Sequence, residues 1–407
     1  MTGPAGVSRR LPRWSEFSEL LRPRDIVWDS TERRLRNAAS IRDMRSLAQR
    51  VTPKAVFDYT DGGAGEEISM ARARRAYERV EFLPRVLRDV SGTSTSAEIL
   101  GREAAMPVVF APTGFTRVMH HEGERAVARA AQAAGLPYAL STMGTTSIED
   151  MAATAPGGRH WFQLYLWRDR ERSEELLKRA AQAGYEALVL TVDTPVAGNR
   201  LRDVRNGMTI PPTLTLRTFL DGSLKLRWWF NLLTTEPLQF ASLSSWSGTV
   251  AELADHMFDP SSTAAEVAAL RETWLGKLIV KGIQHPDDAA AVVDAGADAV
   301  VVSNHGGRQL DRAVTPLEQL PAVRAAVGGR TEVYVDGGIR SGGDIVAALC
   351  LGADAVLVGR PYLYGLMVGG ERGVARVAEI LHTEMRKTMQ LLGVTSVSDL
   401  GPELVCR

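Results

Sequence analysis

GADAVVVSN at residues 296–304 and GADAVLVGR at residues 352–360 are near-copies of one unit, and GYEALVLT at residues 184–191 is a looser third. Each opens on a glycine suited to ending a helix, crosses a short polar turn and enters an apolar run too short for a helix. Working outward, comparable apolar runs lie at 108–111, 138–140, 161–166, 187–192, 278–280, 299–302, 333–335 and 355–358. Segments with helical periodicity separate them at 122–134, 170–183, 286–295, 315–327 and 341–351. No glycine-rich dinucleotide fingerprint follows the first run. Eight such units therefore predict a closed (β/α)8 TIM barrel rather than an open sheet.

Around this core the sequence predicts an arginine-rich N-terminal extension at 1–50, with a short helical pattern through Trp14, Phe17, Leu20 and Leu21. The barrel domain follows at 51–400. One connection breaks its rhythm: 194–263 is an inserted lid loop, proline-bearing and polar, with Trp228, Trp229 and Phe230 clustered in it. Loops of that length serve as lids, interfaces or partly disordered segments. The Trp pair reads first as packing on the barrel or on a neighbouring subunit, and second as membrane contact.

Composition removes several function classes. The formal net charge is zero, so nothing calls for nucleic acid or an acidic polymer. Two cysteines, Cys350 and Cys406, argue against a disulfide framework or a thiolate metal site. His120, His121, His160, His256, His285 and His382 show no ligand spacing, and no metal is expected. No apolar stretch is long enough to span a bilayer and no leader pattern is visible, which points to the cytoplasm. The 48 basic residues comprise 42 Arg and 6 Lys, so a lysine in an apolar context asks for an explanation.

Barrels of this kind build their sites from the C-terminal ends of strands. Those ends carry Thr113 and Gly114, Ser141, Gln163 with Tyr165, Thr191 with Asp193, Lys281, His305 with Arg308, Asp336 with Gly337 and Gly338, and Gly359 with Arg360. The sharpest of them is SNHGGRQLD at 303–311. An imidazole after a strand is the default proton acceptor near neutral pH, and the adjoining glycine pair lets backbone approach a ligand. A lysine ending an apolar strand either serves a buried anionic centre or snorkels to solvent.

With SNHGGRQLD, TVDTPVAGNR at 191–200 and FDY at 57–59, the chain resembles the FMN-dependent 2-hydroxy-acid oxidases and dehydrogenases over about residues 42–400. The inserted loop with its Arg-Trp-Trp most resembles the bacterial L-lactate dehydrogenases that feed the respiratory chain. The resemblance implies His305 as the catalytic base and Asp193 as its carboxylate partner, although an Asp-Thr-Pro turn alone would also account for Asp193. It implies Arg200, Arg308 and Tyr59 on the substrate carboxylate, with Tyr165 near the hydroxyl. Thr113, Gly114, Ser141, Gln163, Thr191, Lys281 and Ser303 are implied contacts of the FMN ring. Asp336, Gly337, Gly338, Arg340, Gly359 and Arg360 are implied around the ribityl chain and phosphate.

The implied reaction is oxidation of a small L-2-hydroxy acid, L-lactate first, with electrons passing to a quinone or carrier. The alternatives are an oxygen-using oxidase or monooxygenase of the same family and, last, an FMN-barrel isomerase, which needs no paired arginines. Met143 and Ala197 depart from the larger groups of short-chain oxidases and imply a roomier pocket. A homotetramer and peripheral contact with the inner face of the membrane are further implications of the resemblance.

Overall fold

The computed structural model describes residues 10–11, 13–20, 27–207, 222–243 and 258–406. Leu21, His256 and part of the 194–263 loop lie outside the described residues. Eight parallel strands close on themselves: β1 (Val108–Phe110), β2 (Tyr138–Ser141), β3 (His160–Tyr165), β4 (Ala187–Thr191), β5 (Lys277–Ile283), β6 (Ala299–Val302), β7 (Glu332–Val335) and β8 (Ala355–Val358). They follow sequence order around the barrel, and β8 pairs with β1. The helices after them are α1 (Gly123–Ala133), α2 (Ile148–Thr154), α3 (Arg170–Gln182), α4 (Ala265–Thr273), α5 (Pro286–Asp294), α6 (Pro316–Val327), α7 (Gly342–Cys350) and α8 (Arg360–Leu392). The α8 backbone breaks at Gly369 and Gly370. His121 and Glu122 precede α1 rather than start it, following a separate short helix at Thr116–Met119.

The two-residue period of a strand explains both the core and the site. Val109, Ala139, Trp161, Val189, Ile279, Val301, Tyr334 and Leu357 share one buried cluster inside the barrel. Their neighbours, among them Phe110, Leu140, Phe162, Leu188, Leu190, Val280 and Val300, pack outward against the helices. Trp161 and Tyr334 stack across the interior with ring centroids 6.3 Å apart. Two residues further along, the same inward parity reaches Ala111 on β1 and Ser141, Gln163, Thr191, Lys281, Ser303, Asp336 and Gly359 on the other seven strands. An apolar barrel thus ends in a largely polar mouth by the same strand parity, with one bulge just past Lys281.

A hairpin of Ala97–Ile99 and Arg102–Ala104 closes the other end, its Ile99 and Leu100 completing the interior cluster. Arg159 Nη2 donates to Ile99 O at 2.7 Å, and the Leu100 amide donates to Glu332 at 3.0 Å. Over the mouth lie the helices Lys54–Asp61 and Ile68–Glu78. Asp61 is held by a two-pronged Arg45 pair at 2.6 and 2.8 Å and by the Tyr364 hydroxyl at 2.7 Å. Those bonds fix the helix that carries Tyr59.

In the inserted loop, helix Leu226–Leu233 docks by a Trp228 indole bond to Val118 O at 2.9 Å. Trp229 donates to Gly222 O at 2.7 Å. Packing on the barrel, the first reading of the Trp pair, holds for Trp228, whereas Trp229 bonds within the loop itself. Among the described residues, no helix is long and apolar enough to cross a membrane.

Candidate active site

The mouth encloses a cavity of about 570 Å³. Of the residues singled out in the sequence, Tyr59, Thr113, Gly114, Ser141, Gln163, Tyr165, Thr191, Arg200, Lys281, His305, Arg308, Asp336, Gly337, Gly338, Arg340, Gly359 and Arg360 all line it. Asp193 and Ser303 stand one layer behind. Asp193 Oδ1 lies 2.9 Å from His305 Nδ1, while Ser303 Oγ accepts from Lys281 Nζ at 2.9 Å and from the His305 amide at 3.0 Å.

His305 sits in the left-handed region at φ 57°, rare and costly for a residue with a side chain. The Asn304 side chain, accepting from the Gly307 amide at 3.0 Å, stabilises that turn. With Nδ1 committed to Asp193, the second ring nitrogen is the one available to a ligand. Burial pushes the Asp193 carboxyl up, but His305 and Lys281 more than offset it and hold the carboxyl below its ordinary range. Asp193 therefore stays anionic beside the ring.

Gly282 shapes this pair. It lies in a bulge between β5 and β6 at φ 112°, and a Cβ there would stand 2.7 Å from the Asp193 Cβ. Gln309, quoted within the motif but given no role, straps the same loop: its side chain donates to Asp193 O at 3.0 Å and Val196 O at 2.9 Å and accepts from the Gly198 amide at 3.0 Å.

Lys281 does not snorkel. It is buried, with Nζ 2.9 Å from Asp336 Oδ2 and from Ser303 Oγ. Burial alone would lower its pKa, yet Asp336 and Asp193 raise it, so the ammonium persists. In the same cavity, the Arg308 guanidinium lies 5.0 Å and the Arg200 guanidinium 5.6 Å from the Tyr59 ring centroid. Arg308 donates to Tyr59 O at 2.6 Å and Gly62 O at 3.1 Å. Its pKa is lowered by burial and then by Arg200, as expected of two cations whose shared anion would come from a ligand. Asp203 offsets this only in part, at 3.5 Å from Arg200.

At the β7 and β8 ends, Arg360 clamps Thr60 O, Gly306 O and Gly62 O at 3.0, 2.9 and 2.7 Å. Burial, with Arg340 and Arg308 nearby, brings its pKa down to about 10. A cationic cluster of this kind favours an anionic group such as phosphate.

Two further features fit a flavin nucleotide. Gln163 Nε2 and Asp336 Oδ1 are buried without a hydrogen-bond partner, in residues that line the cavity. A Cβ on Gly359 would meet only ordinary contacts, 3.6 Å from Thr113 Cγ2 and 3.9 Å from Ala111 Cβ. The protein's own packing therefore does not demand glycine there, whereas close approach of a ligand does. Among the described residues, no cluster of three or more His, Cys, Asp or Glu could hold a metal.

A barrel whose mouth joins an imidazole–carboxylate pair, a buried ammonium and a cationic phosphate corner is a flavin-nucleotide site of the TIM-barrel class. Residues 48–407 match the family described as FMN-dependent dehydrogenase, and the chain belongs to that family. A Mycobacterium tuberculosis protein, provisionally named an L-lactate dehydrogenase, is 56% identical over 98% of this chain and 96% of its own length. The 4-hydroxymandelate oxidase of Amycolatopsis orientalis is 45% identical over 88% of this chain and 95% of its own. Among solved structures, the monotopic membrane protein (S)-mandelate dehydrogenase superposes with a TM-score of 0.87 at 39% identity, over 91% of this chain and 99% of that one. The protein is an FMN-dependent 2-hydroxy-acid oxidase or dehydrogenase.

Proposed function

We propose that this enzyme oxidises L-lactate to the 2-oxo acid and passes the electrons to a quinone or carrier. The observation that carries the reading is that one cavity is lined by His305, backed by Asp193, and by the two guanidiniums of Arg200 and Arg308. The arginines and the Tyr59 hydroxyl take the substrate carboxylate, which places C2 and its hydroxyl toward His305 and Tyr165. His305 accepts the proton that leaves the substrate, and Asp193 stabilises the resulting imidazolium. Tyr165 is buried, which pushes its phenol up and keeps it a neutral hydrogen-bond donor. FMN, when bound, supplies the acceptor for the two electrons. Lys281 would hold its negative charge near the ring's N1–C2 carbonyl, and Arg340 and Arg360 would hold its phosphate.

Support for L-lactate comes from the Mycobacterium tuberculosis relative's provisional name. Support for a membrane quinone comes from the solved monotopic relative and from an exposed apolar stripe on helix Leu226–Leu233, where Leu226, Phe230 and Leu233 are 75, 67 and 70% exposed. A second reading, an aromatic 2-hydroxy acid with oxygen as acceptor, is favoured by Met143 and Ala197 in the cavity wall and by the 4-hydroxymandelate oxidase relative.

Anaerobic mixing with L-lactate and L-mandelate, followed by a quinone analogue or oxygen, separates the two. Faster flavin bleaching by L-lactate and faster reoxidation by the quinone analogue are expected. The reverse order on both, with stoichiometric hydrogen peroxide, would replace the first reading with the second.

A further inference from the structure

A second concavity, of about 360 Å³, lies between the helix Ile68–Glu78 and the start of α6, apart from the flavin cavity. Arg72, Arg75, Arg79 and Arg312 line it, with Thr315 and Glu318. Arg72 and Arg75 lie on the helix and Arg79 caps its C-terminal end, and their spacings of three and four put them on one face. Arg79 is 3.5 Å from Glu318, the one acidic side chain in the lining. Among the described residues, the side chains of Arg72, Arg75 and Arg312 make no hydrogen bond or ion pair. Four cations against one anion is a local excess of three in a chain whose formal net charge is zero.

The surroundings are built rather than incidental. Arg312 adopts the left-handed conformation at φ 66°. The preceding Asp311 holds the loop there, accepting from the Ser69 amide at 2.9 Å, the Glu66 amide at 3.0 Å and the Arg312 amide at 3.0 Å. The turn is thereby fixed against the helix that bears the other three arginines. Thr315, in the same lining, is the N-cap of the twelve-residue α6 and makes no side-chain capping bond, and the positive dipole end of that helix adds to the same field.

We propose that this concavity is a binding site for a phosphate-bearing ligand, separate from the flavin's own phosphate. A carboxylate offers two oxygens to a guanidinium fork. A terminal phosphate offers three and up to two charges, which suits the three lining arginines that have no ion-pair partner and the local excess of three positive charges. The volume is at the small end for ligand pockets and fits a pyrophosphate unit or a lipid headgroup rather than a whole nucleotide with its base.

The test is calorimetric titration of the FMN-loaded enzyme with inorganic pyrophosphate at low ionic strength, alongside sedimentation with vesicles containing phosphatidic acid, whose headgroup is a phosphomonoester. The comparison is the double variant Arg75→Gln, Arg312→Gln. Neither residue touches the flavin cavity, so an unchanged flavin spectrum and unchanged reduction by hydroxy acid report that the variant is folded. Pyrophosphate should bind the parent enzyme and weaken at least about tenfold in the variant. If vesicles bind in the same variant-sensitive way and pyrophosphate does not, the phosphate is a lipid's. Citrate binding as tightly as pyrophosphate would overturn the ligand class. Binding of neither probe, or binding unchanged in the variant, would overturn the site.

Discussion

Asp193→Asn isolates the contribution of the carboxylate behind His305. The substitution keeps the shape but removes the charge 2.9 Å from Nδ1, in a position where the carboxylate is nearly buried. A hydrogen bond to a charged group in such a place contributes about 2 kcal/mol, and only after His305 has taken its proton does it act at full strength. Flavin reduction by saturating L-lactate should therefore slow roughly thirtyfold, with substrate affinity little changed because Asp193 does not line the cavity. Anaerobic stopped-flow absorbance measures this directly. Gly282→Ala offers an independent route to the same pair, since its new Cβ would displace Asp193 and so slow reduction by a comparable factor. A normal reduction rate in Asp193→Asn, or a loss accounted for by missing FMN, would refute the reasoning.

Lys281→Met should retain FMN but lower its two-electron potential by about 30–60 mV, read by dye equilibration; an unchanged potential would leave the Lys281–Asp336 pair a purely structural one. Arg360→Ala should weaken FMN at least about tenfold in fluorescence titration, and unaltered affinity would move the phosphate elsewhere. Asp61 has its carboxyl pKa lowered from 3.8 to about 2: burial opposes the shift, but Arg45, Tyr364 and Arg360 outweigh it. Its stabilisation is complete above the unfolded value and lost as pH falls toward 2, so unfolding free energy should drop by about 2 kcal/mol across that window. Asp61→Asn should remove that part of the acid dependence in urea titrations at successive pH values.

Much of the barrel was legible because each strand is a short apolar run bounded by turn residues, and the eight runs give the eight strands with ends shifted by no more than three residues. The polar mouth was legible for the same reason: Gln163, Lys281 and Asp336 stand at strand ends in the sequence before they stand in the cavity. What periodicity does not reveal is partnership. Asp336 read as a phosphate-side residue, whereas its carboxylate is the counter-ion of Lys281, a pairing across two strands. Gln309 was visible inside the histidine motif, but nothing local marks it as the strap on the β4 loop. Helix α2 is too short to show a period, and α8 begins with Arg-Pro and carries Gly-Gly, which read as turns. The glycine at 282 is explained by its positive φ in the bulge and by the close approach of Asp193, which is remote from the glycine in sequence and adjacent in space.

In the proposed reaction His305 is the group that takes the substrate's proton. The most direct test of this role is the anaerobic flavin reduction rate with L-lactate in His305→Gln, measured on protein with full FMN content and alongside binding of a non-reactive carboxylate analogue. The account predicts that reduction falls by about 10²–10⁴-fold or more while the analogue still binds to Arg200, Arg308 and Tyr59. Reduction at a near-normal rate would contradict it.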